Sequence, residues 1–153
     1  GVDATRYFLV QKSADTHLDF DMDLALSQSS ENPVYYIQYA YARICSILKK
    51  TDSDISTVEF SDTLQLDPKE RDLIVKVLRL PDLIQESAIL LAPHKLASFS
   101  WELAKAFHRF YEACPILKAD DKTKLRRLYV LKLVKQALRH CHGLLGISSP
   151  EIM

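Results

Sequence analysis

Glycine and proline are scarce, at 3 and 6 of 153 residues, so little in the chain interrupts long regular elements. No apolar run approaches the roughly 20 residues that a membrane-crossing helix requires, and no basic-then-apolar stretch opens the chain as a signal peptide would. Net charge is absent too, with 20 basic and 20 acidic residues. The three cysteines, Cys45, Cys114 and Cys141, are odd in number and form no CxxC pair, which argues against a cysteine-based zinc site. Each falls on the apolar side of a helical pattern, where a reduced cysteine behaves as a small hydrophobe; a reducing, cytoplasmic location is expected. There is no glycine-rich phosphate loop, no nucleophile elbow and no His-Glu-x-x-His, so neither a catalytic residue nor a metal ligand is assigned. The chain opens on Gly1, and we expect it to be a piece of something longer.

What is present is helix. With 48% hydrophobic and 26% charged residues the composition is that of an ordinary globular domain, long enough to bury a sizeable core. Asn32-Pro33 sets a capping residue before a proline suited to a first helical position, and Tyr36, Tyr39, Ala40, Arg43, Ile44 and Ile47 follow at helical spacing. Asp67-Pro68 repeats the arrangement, with Glu70 placed as in a capping box; Leu73, Val77 and Leu80 carry that helix to a stop at Pro81. Another helix is predicted from Asp82 to about Leu91. The cleanest period, Leu96, Phe99, Leu103, Phe107, Phe110 or Tyr111 and Cys114, ends at Pro115. The last long helix begins near Asp120 or Asp121 and stops at Gly143, read as a left-handed cap. Residues 51–66 read as a loop, and residues 13–31 as an acidic mixed segment with a short helix around Phe20–Leu26. No strand pattern emerges. The expected fold class is all-α, a helical bundle.

Charge is segregated although its sum is zero: residues 33–50 hold 3 bases and no acids, and residues 120–153 hold 7 bases and 3 acids. Such segregation makes a basic face on a neutral protein, though helical surfaces often carry charge in runs. Tyr35, Tyr36, Tyr39 and Tyr41 crowd one helix, and Tyr36, Tyr39 and Arg43 share a face. Rings and a guanidinium on one face suit stacking of unpaired bases; equally, they suit amphipathic packing with hydroxyls at the surface. Trp101, Phe107, Phe110 and Tyr111 read as core. His108 with Glu112, one turn apart, reads as a helix-surface pair ahead of a metal or acid–base pair. His140 and His142 sit at a helix end, where histidine satisfies carbonyls. Asp15, Asp19, Asp21 and Asp23 lack the glycine and terminal Glu of a calcium loop and read as a solvated turn.

The stretch from Asn32 to Ile47, NPVYYIQYAYARICSI, resembles the NPVYYVQYAHARICSI segment of arginyl-tRNA synthetases, class I aminoacyl-tRNA synthetases. Gly1–Phe8 is similar to the segment just after that family's catalytic domain, and His17–Asp21 to its LDFD turn. Pro93–Leu96, Glu102–Ala104 and Phe107–Cys114 resemble its DALR-type anticodon-binding domain. Gly143–Ile147 with Pro150, Glu151 and Met153 is similar to its C-terminus. The resemblance runs through nearly the whole chain, in order. It implies a segment at 1–31 that follows the catalytic domain, then a DALR-type domain at 32–153, together one compact unit. It further implies binding of the anticodon stem-loop of tRNA for arginine, with the middle cytosine read in a pocket of Tyr39, Tyr111 and Met153; Arg43 and Tyr36, which share the Tyr39 face, are added as candidate contacts. On the last helix Arg126, Lys132, Lys135 and Arg139, with Arg127 beside the apolar stripe, are candidates for phosphate contact.

The family's ATP-binding signatures, HIGH and KMSKS, are absent. The resemblance therefore implies that the full-length protein is an ATP-dependent arginine–tRNA ligase with ATP and arginine as substrates, and that these residues alone neither activate arginine nor charge tRNA. No cofactor is expected here. Tyr41 stands where many relatives have histidine, and Ile152 where arginine precedes the final Met. Two other classes would use such a bundle: a protein–protein interaction module indifferent to RNA, and a small hydrolase with an unrecognised histidine site.

Overall fold

The computed structural model describes residues 1–51 and 66–153. Seven helices follow one another in the described residues: α1 Val2–Val10, α2 Met22–Leu26, α3 Pro33–Lys50, α4 Pro68–Leu78, α5 Leu80–Ile89, α6 His94–Ala113 and α7 Asp121–Leu145. Among the described residues there is no strand, and none of the helices is long and apolar enough to cross a membrane. Most of the expected loop 51–66 lies outside the described residues.

Local chemistry accounts for most helix starts. Asn32 Oδ1 accepts from the amides of Val34 (3.1 Å) and Tyr35 (3.4 Å), and its Nδ2 donates back to Ser27 O (2.8 Å), so one buried side chain caps α3 and ties it to the end of α2. Asp21, Asp67 and Asp120 cap α2, α4 and α7 in the same way, each such cap contributing about 1 kcal/mol. The acidic cluster thus includes one working cap, Asp21. No capping side chain announces α1, which starts at Gly1; nothing in the periodicity marks it.

Two boundaries and one cap differ from the expectations. The break ascribed to Pro81 falls earlier: α4 ends at Leu78, and Pro81 sits in the first turn of α5, because proline lacks the N–H that would bond four residues back and restricts the residue before it. Gly143 lies inside α7, and the left-handed cap is Gly146, at φ 68°. There the Ile147 amide bonds His142 O at 2.9 Å, the six-to-one bond of a Schellman ending. Arg6 Nη1 donates to Gly146 O at 2.8 Å, and a Cβ on residue 146 would stand 2.7 Å from that nitrogen. Glu70 forms no capping box; it is fully buried and paired with Arg126 and Arg127.

The long helices α3, α6 and α7 pack on one another, with α4 against α6 and α7, α5 against α6, and α1 against α2, α3, α6 and α7. Ile37, Ile44, Leu103, Phe107, Phe110, Leu128, Leu131 and Leu138 are fully buried between them. The three cysteines are buried and free. Burial raises the Cys141 thiol to about 12, so it serves as packing. Trp101 corrects the core reading: it is 36% exposed, with the Lys105 ammonium 4.0 Å from its ring centre.

Candidate nucleic-acid interface

Where α3 and α6 lie side by side, their facing residues make an aromatic and basic strip. On α3, Tyr35, Tyr39, Arg43, Ser46 and Lys50 recur at steps of three and four, so they follow one side of the helix. On α6, His108 and Tyr111 are three apart and meet them. The Tyr39 ring lies nearly parallel to Tyr35 (centroids 6.2 Å, 10°) and to His108 (5.9 Å, 19°). Tyr36 is half-buried with its ring 4.9 Å from that of His108.

Arg43 ties the strip together. Its Nη1 donates to the Tyr39 hydroxyl at 2.8 Å, and its guanidinium carbon stands 4.5 Å from the Tyr111 ring centre, within the range of a cation–π contact. Such holding orients the guanidinium while leaving its charge without a carboxylate partner among the described residues. Burial and the neighbouring Arg43 charge both lower the His108 pKa, so His108 is neutral at neutral pH. Its Nε2 is buried without a hydrogen-bond partner among the described residues. The Glu112 charge acts on His108 from one turn away, and the stack with Tyr36 and Tyr39 is the contact that the sequence reading did not foresee.

Two cavities share Arg43 and Ser46 as a common wall. The smaller, about 230 Å³, is lined by Tyr39, Ala42, Arg43, Ser46 and the last three residues, Glu151, Ile152 and Met153. The larger, about 500 Å³, runs past Tyr111, Lys50, Pro115, Leu117 and Lys118. Of the residues predicted from sequence, Tyr39, Arg43 and Met153 meet at the smaller cavity, Tyr111 stands across Arg43 in the larger, and Tyr36 supports His108 without lining either. Tyr41 is buried, with its ring 5.7 Å from that of His142, so it belongs to the core and not to the strip.

The α7 cations divide. Lys132 and Arg139 are exposed. Lys135 is half-buried, 3.4 Å from Glu151 Oε1. Arg126 is corrected: it is buried, and its Nε and Nη2 both donate to the Glu70 carboxylate, the second at 3.1 Å, so it is withdrawn from solvent. Arg127 donates to Pro115 O at 2.7 Å and lies 3.6 Å from Glu70. Sequence reasoning read His108 as paired with Glu112, noted Lys50 only as a base near the tyrosine face, and did not single out Ser46 or Lys118. His108, Lys50 and Ser46 carried a signal, since they continue the helical faces of Tyr111 and Arg43; Lys118, in a turn, carried none. No group of His, Cys, Asp and Glu suited to a metal occurs among the described residues.

Comparisons with known proteins identify the chain's relatives. The chain is 45% identical to an arginine–tRNA ligase of Anoxybacillus flavithermus and 43% identical to one of Chlorobaculum parvum, in each case over its full length but over only 28% and 29% of theirs. Among solved structures it superimposes on Thermus thermophilus arginyl-tRNA synthetase with a TM-score of 0.87 at 31% identity, and on that of Plasmodium falciparum at 0.86 and 28%. Those matches cover 99% of this chain and 26% and 27% of the others. The DALR anticodon binding domain family matches residues 37–153, and the chain belongs to that family.

Proposed function

We propose that this chain reads the middle anticodon cytosine of tRNA for arginine, as the anticodon-binding part of an arginine–tRNA ligase. The observation that carries the reading is Arg43, fixed between Tyr39 and Tyr111 and opening onto a cavity of about 230 Å³. Loop bases are recognised when splayed out, stacked on rings or guanidinium planes, and hydrogen-bonded at their polar edges. Cytosine presents two acceptors and one amine donor. Arg43 offers donors, and Glu151 on the opposite wall offers an acceptor; uracil, whose ring nitrogen is a donor, reverses part of that pattern. Tyr39 supplies the stacking surface and Met153 closes the cavity. Lys132, Lys135 and Arg139 track the phosphates. In the longer protein the module holds the tRNA for ATP-dependent attachment of arginine, which is chemistry outside these residues.

The test is titration of the chain with an anticodon stem-loop carrying the middle cytosine and with one carrying uracil there. A preference of at least roughly tenfold, the effect of leaving one buried polar group unpaired, is expected for cytosine. Equal affinity for the two would overturn the reading, and indifference to RNA at low salt would favour an interaction module.

A further inference from the structure

The smaller cavity has a wall, Glu151–Met153, that belongs to no helix, so something must hold it against Tyr39. Three helices do. From α3, the buried Gln38 points its amide away from the Tyr39 face, and Nε2 donates to Ser148 O (3.2 Å), Ser148 Oγ (3.1 Å) and Asp3 Oδ2 (2.8 Å). From α1, Asp3 Oδ2 also accepts from the Ser148 hydroxyl. From α7, His142 Nδ1 meets Ser149 Oγ at 2.9 Å. Two residues beyond this cluster the chain reaches the cavity.

We infer that Gln38, Asp3 and Ser148 form a latch that docks the chain's last residues against Tyr39 and so builds the base-reading cavity. The inference rests on the proposed reading only for its effect on RNA; the docking itself is a property of the free protein. Gln38 and Asp3 are positioning residues, since neither lines the cavity. This gives Gln38 a role distinct from that of its neighbour: successive residues on a helix face about 100° apart, so Tyr39 meets the base while Gln38 secures the opposite wall. Burial works to raise the Asp3 pKa, but the hydrogen bonds from Ser148 and Gln38 outweigh it and hold the carboxyl below the usual range. The acceptor is therefore charged at neutral pH, and hydrogen bonds to charged groups are the strong ones. The latch also makes α1, through Asp3, a structural neighbour of the reading site.

The chain has two methionines, Met153 lining the cavity with 49% of its surface exposed and Met22 on α2, 60% exposed. Methionine-methyl NMR of the full chain therefore reads docking of the tail with an internal reference. In Gln38→Leu, and less far in Ser148→Ala, an exposed position whose backbone bond to Gln38 is kept, the Met153 methyl should move towards its random-coil shift while Met22 stays. Affinity for the cytosine stem-loop should fall roughly tenfold, the change one charge-assisted hydrogen bond makes in an equilibrium. A Met153 signal unmoved in the folded Ser148→Ala and Gln38→Leu proteins overturns the latch. A displaced Met153 with RNA preference intact upholds the latch and overturns the tail's part in reading the base.

Discussion

Two arginines on neighbouring faces of the bundle are held in opposite ways. Between α4 and α7, Arg126 is buried against the fully buried carboxylate of Glu70, with Arg127 alongside. Between α3 and α6, Arg43 is half-buried and held by a tyrosine hydroxyl and a tyrosine ring. A carboxylate neutralises a guanidinium and uses its donor fork; an aromatic clamp fixes its position and leaves charge and donors available. The first arginine is committed to the fold and the second is placed for a ligand. Counting basic residues in a sequence does not distinguish these two uses.

The largest expected effect breaks the fold side of that contrast. Glu70→Ala strands two arginines at a buried interface, and urea denaturation should show a loss of about 3–5 kcal/mol. RNA preference of the protein that remains folded should not change. Next comes a pH effect. Burial depresses the His142 pKa to about 4, against about 6.5 for a solvated histidine. Because the folded pKa is the lower one, the unfolded chain binds more protons between these values. The stability is complete above pH 6.5 and is lost as pH falls towards 4, by roughly 3 kcal/mol at about 1.4 kcal/mol per unit. His142→Gln should flatten this slope in denaturation curves taken from pH 7 to pH 4; an unchanged slope assigns it to other groups.

On the ligand side the effects are smaller. Tyr39→Ala should weaken binding of the cytosine stem-loop by roughly 1–3 kcal/mol, the worth of one base stacked on a ring. Tyr39→Phe, which keeps the ring and loses only the hydroxyl that accepts from Arg43, should cost less; equal losses would show that the ring is not a stacking surface. Smallest is the α7 face. Lys132→Ala with Lys135→Ala should reduce the slope of log affinity against log salt by about one for each phosphate no longer neutralised, and the same slope as the parent would exclude that face.

The helices were legible wherever a cap or a proline marked them and where apolar residues recurred at steps of three and four. Asn32, Asp67 and the Leu96–Cys114 stripe each did so. The first helix was not legible, because its stability comes from packing of Tyr7 and Phe8 rather than from an end signal. Glu70 misled because a first-turn glutamate has the same spacing whether it turns back to the cap or inward to Arg126. Gly143 misled because a glycine near a helix end looks the same as the one that adopts positive φ; what marks Gly146 is its φ of 68°, at which the chain turns back to close the Ile147–His142 bond. The site was half legible. Helical spacing alone puts Tyr39, Arg43, Ser46 and Lys50 on one face. The meeting of that face with His108 and Tyr111, and with Met153 at the far end of the chain, is tertiary.

The two arginines can be set against each other in one binding assay on Arg43→Gln and Arg126→Gln, each titrated with stem-loops bearing cytosine or uracil at the middle position. Arg43→Gln should keep its stability and lose the preference for cytosine, while Arg126→Gln should lose stability and keep the preference. An Arg43→Gln protein that still prefers cytosine as strongly as the parent would refute the assignment of Arg43 to the ligand.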